Sequence, residues 1–164
     1  MSAGSLFAEL TMSEILKSYG FTELGSWGKS NHATVSHLKA ECDFGINYCL
    51  VKEWHKKRNV VYAFMIDGLI SYLGETTAGM ASRFNGYRYG NPLATDTDNR
   101  VKLAITRALR AGCQVTIWAG QPLASLTLAN GVPLEIPASK PLEEHLICIL
   151  KPSLNVKNIG NSAV

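Results

Sequence analysis

The chain has 164 residues, 46% of them hydrophobic and 18% charged, with a formal net charge of +3. That length and balance suit one domain with a buried core. No apolar run approaches the roughly 20 residues that cross a bilayer, and the opening MSAGSLFAELTMSEILKSYGF carries acids where a secretory leader would carry lysines, so a cytoplasmic, non-membrane protein is expected.

The apolar positions Leu6, Phe7, Leu10, Ile15 and Leu16 recur at helical spacing and predict an amphipathic helix over 5–18, stopped at Tyr19-Gly20. From 21 to 45 the chain is rich in Gly, Ser, Asn and Thr without a sustained period, which predicts loop and short irregular structure. Cys42, Cys49, Cys113 and Cys148 form no C-x-x-C pair, so reduced thiols are expected. A zinc site from His32, His37, Cys42 and Cys49 is the other reading, although its spacing matches no finger or ribbon.

INYCLVKEW at 46–54 reads as a strand, and the basic cluster His55, Lys56, Lys57, Arg58 separates it from a second strand, VVYAFMI, at 60–66. Asp67-Gly68 is a hairpin signal, and LISYLG at 69–74 supplies the returning strand. Thr76 or Thr77 is the expected cap of a helix reaching about Tyr87, broken at Gly90-Asn91-Pro92. A second helix opens between Thr95 and Asp98 and runs to Ala111-Gly112. Its buried stripe is Val101, Ala104, Ile105 and Ala108, and its other side carries Arg100, Arg107 and Arg110. CQVTIWAG at 113–120 predicts a strand, and 123–136 is extended with a turn at Asn130-Gly131. A last helix starts near Ser139 to Pro141 and ends before Lys151-Pro152. The closing residues from 156 read as a frayed tail.

Charge is uneven: residues 52–110 hold ten Lys and Arg against five Asp and Glu. A polyanionic partner would account for that excess, and a solvated charged face is the ordinary alternative.

The order of elements from 58 to 156, with VVY at 60–62 and YLG at 72–74, resembles the GIY-YIG nuclease family. The resemblance continues through Arg83 in TTAGMASRF, Glu143 in PLEEHLICIL and Pro152 to Asn155 in KPSLN. Two departures stand out: Val60-Val61 replaces the leading Gly-Ile, and Glu75 follows Gly74 where many relatives carry a lysine or another donor. Expected to turn away, Glu75 could alternatively join the outer shell of a metal.

The resemblance implies an α+β fold in which a small antiparallel β-sheet, built as hairpin, helix, helix, strand, helix, is flanked by helices. Residues 1–57 would form an N-terminal helical or irregular extension acting as a DNA-recognition arm, 58–156 the nuclease core, and 157–164 a flexible tail. It further implies an endodeoxyribonuclease that hydrolyses phosphodiester bonds with a divalent metal, magnesium or manganese, held by Glu143. Arg83 would stabilise charge on the phosphate. Tyr62 would activate or orient the attacking water, Tyr72 would position phosphate or water, and Tyr87, on the same helix face as Arg83, would assist proton transfer. Asn155 and Gly74 would support the site. Glu144 is the rival metal ligand.

Small type II restriction enzymes of the family are the nearest type, because the residues before 58, including Trp27, Lys29, Asn31 and His32, offer phosphate and base contacts. Lys56, Lys57, Arg58, Arg88, Arg100, Arg107 and Arg110 are the expected DNA-binding residues. Double-stranded DNA would be the partner, read by a homodimer. A structure-selective repair or homing-type nuclease shares the same site, and a catalytically dead DNA-binding module would use the tyrosines only as core. Taken singly, Tyr62 and Tyr72 could be a cross-strand aromatic pair, Arg83 a surface arginine and Glu143 a helix-start acid favoured by the macrodipole.

One register condition follows from the hairpin. A strict two-residue turn at Asp67-Gly68, continued regularly, places Tyr62 and Tyr72 on opposite faces. A three-residue loop with Gly68 as a G1 bulge sets Tyr62 across from Tyr72 and both phenols on one face.

Overall fold

The computed structural model describes residues 10–30, 44–89 and 96–158. Helix α1 (Met12–Ser18) is followed by strands β1 (Thr22–Ser30), β2 (Gly45–Leu50), β3 (Val60–Ile66) and β4 (Leu69–Thr76). Helices α2 (Met80–Tyr89) and α3 (Asp96–Arg110), strands β5 (Val115–Gly120), β6 (Leu123–Thr127) and β7 (Pro133–Pro137), and helix α4 (Ser139–Leu150) complete the order. β1 to β5 make one antiparallel sheet in the order β2-β1-β5-β3-β4, and β6 and β7 form a separate hairpin. The mixed α+β architecture accords with the expected class. Among the described residues no helix is long and apolar enough to cross a membrane.

β3 is the central element. VVYAFMI is buried on both faces from Val60 to Met65, because β4 and β5 flank it and helices cover each side. Its alternation divides the core. Tyr62 and Phe64 face α2 and α3, joining Trp27, Phe84, Tyr87, Val101 and Ile105. Val61, Ala63 and Met65 face the other way, against Leu16, Leu73, Trp118, Leu146 and Ile147 of α1, β4, β5 and α4.

The hairpin is resolved differently from the expected bulged loop. Ile66 pairs with Leu69, so the turn holds two residues, and both Asp67 (φ 47°) and Gly68 (φ 80°) are left-handed, as a type I′ turn requires. The bulge lies further along, where Met65 pairs with Ile70 but Phe64 with Tyr72, leaving Ser71 as the extra residue. That single insertion restores parity. Tyr62 stands across from Gly74 rather than Tyr72, and both phenols still share one face.

Other boundaries also move. α1 begins at Met12 with Thr11 and Glu14 in a reciprocal capping box, so the expected start at 5 is too early within the described residues. Leu10 is exposed, and Leu6 and Phe7 lie outside the described residues. The segment expected to be loop from 21 contains β1, held by pairing on both edges with β2 and β5. The strand expected over 46–54 stops at Leu50, and Lys52–Trp54 is a 3₁₀ turn. Thr76 ends β4 rather than capping α2. α3, β5, the β6–β7 hairpin and α4 fall where expected. Cys49, Cys113 and Cys148 are free thiols. His32, His37, Cys42, Asn31 and the break at 90–92 lie outside the described residues.

Candidate active site

The hydroxyls of Tyr62, Tyr87 and Tyr72 form a chain. Tyr62 Oη lies 2.6 Å from Tyr87 Oη, and Tyr87 Oη donates to Tyr72 Oη at 3.2 Å. β3 and β4 place the two strand tyrosines, and α2, lying over their face, brings Tyr87 between them. Gly74 makes room. A Cβ there would come within 2.5 Å of the Tyr62 phenol, so only glycine lets the ring lie across β4. Burial pushes the Tyr62 phenol far above its ordinary value, and the neighbouring Tyr72 adds to this, while Arg83 pulls the other way through its charge and a hydrogen bond. Burial also raises Tyr87, helped by Tyr62 and Tyr72.

Arg83 sits one helical turn before Tyr87, with its guanidinium carbon 4.2 Å from the centre of that ring. Two of its nitrogens grip Asp98 of α3, Nη2 to Oδ1 at 2.9 Å and Nη1 to Oδ2 at 3.3 Å. Burial alone would make the guanidinium easier to deprotonate, but Tyr62, Asp98 and Tyr87 outweigh it and hold the charge more firmly. With 27% of its side chain exposed, Arg83 is far more open to solvent than the three tyrosines.

Glu143 lies on α4, on the opposite side of the sheet. Its Oε2 accepts from Lys140 Nζ at 2.9 Å. Beside it, Ser139 Oγ donates to Glu75 Oε2 at 3.1 Å. Glu75 therefore turns away from Arg83 and toward α4. The structure brings Tyr62, Tyr72, Tyr87, Arg83 and Gly74 together, and collects Glu143 and Glu75 separately. The two groups adjoin at β4, where Gly74 touches Tyr62 and the next residue reaches Ser139.

Among the described residues, no three His, Cys, Asp or Glu side chains form a ready-made metal cage. A magnesium or manganese ion does not need one, since it keeps several waters and takes one or two carboxylates. The donors here fit that demand: hydrogen bonding to Glu143 raises the Lys140 ammonium, and the charges of Glu143, Glu144 and Glu75 reinforce it. A cation already answers this cluster of carboxylates.

Asn155 clasps the outer edge of β4. Its Oδ1 accepts from the Leu73 amide at 2.9 Å and its Nδ2 donates to the Leu73 carbonyl at 2.8 Å, replacing the partner an edge strand lacks.

The expected DNA-binding residues are scattered. Lys56 is exposed, Lys57 Nζ lies 3.9 Å from the Trp54 ring centre, and exposed Arg58 donates to the Thr77 carbonyl. Arg88 stacks on Tyr89. Arg107 and Arg110 are exposed on α3, with Arg110 also over Phe44. Arg100 does not lie free along that helix, because its Nε and Nη2 both bond the Leu154 carbonyl, at 3.2 and 2.8 Å. Trp27, expected in a recognition loop, is 3% exposed and packs on Tyr48, Phe64 and Phe84. Lys29 lies over Phe44. Asp98 was missed by sequence reasoning, because its pairing with Arg83 depends on how α2 and α3 cross.

No protein-family profile matches the sequence, and no curated protein matches it. Among solved structures, a mutant of bacteriophage T4 EndoII is 23% identical over 89% of this chain and 99% of that one, with a TM-score of 0.58. This chain shares that nuclease's fold. The restriction endonuclease HPY188I, in complex with product DNA, is a looser likeness: 18% identical, TM-score 0.48, covering 99% of this chain and 92% of that one.

Proposed function

We propose that the chain is a metal-dependent DNA endonuclease of the GIY-YIG type, sequence-specific in the manner of type II restriction enzymes. One observation carries the reading: three tyrosine hydroxyls in a chain end at a partly exposed arginine on the hairpin-helix unit, across one strand from a carboxylate group suited to a hard cation. The fold shared with EndoII supports it.

In this reading Arg83 receives the scissile phosphate and stabilises the charge that builds on it. Tyr62 orients the attacking water with its oxygen. Because burial holds its proton tightly, it serves as a base only once substrate and Arg83 favour the phenolate. Tyr87 fixes the Tyr62 hydroxyl, and Tyr72 anchors the far end of the chain. Glu143, with Glu75 beside it, would hold magnesium or manganese, which supplies Lewis-acid stabilisation and a more acidic water. Gly74 and Asn155 hold β4 in place between the two groups.

Lys56, Lys57, Arg58, Arg88, Arg107 and Arg110 would contact the duplex, mostly its phosphates. Cutting both strands in one event would take two copies, the alternative being sequential nicking by a monomer. The β6–β7 hairpin offers two copies a surface, since Leu126, Leu134 and Ile136 are exposed and the strand register sets them on one face with Ala124. In this reading a homodimer would form on DNA.

Digestion of a defined plasmid with magnesium tests the reading. Discrete bands, with linear product appearing without a build-up of nicked circles, are expected. A smear would indicate a nuclease without base readout, persistent nicked circles would refute the dimer, and intact plasmid that still binds the protein would favour a DNA-binding module.

A further inference from the structure

We infer that Asp98 is a positioning residue for Arg83, setting the direction in which the guanidinium presents its remaining donors; the inference rests on the proposed role of Arg83 at the phosphate. A guanidinium has five N–H donors in a plane. Asp98 takes one from each Nη, at 3.3 and 2.9 Å. Three are left.

Those three point where the fork is held, and the fork is held on three sides. Asp98 grips one end, the Tyr87 ring lies under the plane with the guanidinium carbon 4.2 Å from its centre, and the α2 backbone closes the third side. At Gly86 a Cβ would stand 3.2 Å from Arg83 Nη1 and 3.4 Å from Asp98 Oδ2, so the ion pair lies tight against the helix. Lys102 Nζ donates to the Arg88 carbonyl at 3.1 Å, tying α2 to α3 and fixing the distance across which Asp98 reaches.

The arrangement has a chemical consequence. An arginine free to rotate would bind phosphate in several poses and stabilise the reacting geometry in few of them. With Asp98 in place the planar fork is prepared before substrate arrives, so Asp98 affects turnover more than affinity.

Two measurements on the full chain test this. In nitrogen-edited NMR, the Arg83 Nη protons should be resolved in the wild type and averaged in Asp98→Asn, because the carboxylate hinders rotation of the guanidinium. In plasmid cleavage, Asp98→Asn should lower kcat by about tenfold or more with KM within about twofold, and Asp98→Glu should recover part of the loss. Averaged Arg83 signals in the wild type, or an Asp98→Asn enzyme with wild-type or faster turnover, would overturn the inference. Resolved signals that collapse in Asp98→Asn, in a protein that cuts no DNA, would instead sink the endonuclease reading and leave the positioning intact.

Discussion

The two faces of the sheet around β3 are built from different chemistry. One is aromatic and sealed, with Tyr62 and Tyr87 both 0% exposed and Arg83 at its rim. The other is mostly aliphatic, with Val61, Ala63, Leu73, Leu146 and Ile147 beside Phe21 and Trp118, and its polar residues gather at the start of α4. Burial on the first face shields the phenol oxygens from competing solvent and tightens their hydrogen bonds to one another. On the second face the Glu143 side chain keeps 12% of its surface exposed. β4, one strand thick, separates the two groups.

If the α4 face supplies the metal ligand, Glu143→Ala should abolish cleavage while costing little in the thermal melt, since the Lys140 it pairs with is 62% exposed and such a pair contributes little. Glu144→Ala should be far milder. The reverse order of losses, measured as single-turnover rates, would move the ligand by one position on α4.

On the aromatic face, Tyr62→Phe should cost on the order of a hundredfold to ten-thousandfold in rate, the range of a lost acid-base or water-orienting group, while the ring packing and the Tyr87–Tyr72 bond persist. Full activity in Tyr62→Phe would reduce the tyrosine chain to core structure. Arg83→Lys should cost about a hundredfold, because an ammonium lacks the fork that both phosphate and Asp98 require.

The smallest effect concerns pH. Tyr62 and Tyr87 keep their protons more tightly when folded than when unfolded, so above about pH 10 the unfolded chain releases protons that the folded one retains. Stability is fully present below that pH and falls as pH rises above it. Tyr62→Phe should flatten this fall in denaturant titrations, and an unchanged slope would mean that Tyr62 is not sealed.

Many of the elements were legible in the sequence. VVYAFMI-Asp67-Gly68-LISYLG specifies a hairpin by its apolar strands and turn chemistry, α3 carries a clear stripe, and α4 a clear start and stop. β1 was not legible, because TELGSWGKS has no alternation. Its Gly25 serves close packing, since a Cβ there would come 1.8 Å from the Cys49 carbonyl oxygen. The register had to place both tyrosines on one face, but nothing in the sequence marks Ser71 as the residue that bulges. Arg83, Tyr87 and Glu143 could be named by resemblance. Their separation across β4, and the grip of Asp98, depend on tertiary crossing that no local pattern carries.

The central claim is that these two faces make one metal-dependent nuclease site. Its most direct test is single-turnover cleavage of supercoiled plasmid by the wild-type chain, with magnesium titrated in and then removed by excess chelator. Cleavage should rise with magnesium, stop on chelation and return when the metal is restored. Plasmid left intact with both magnesium and manganese, or cut at an undiminished rate in excess chelator, would contradict it.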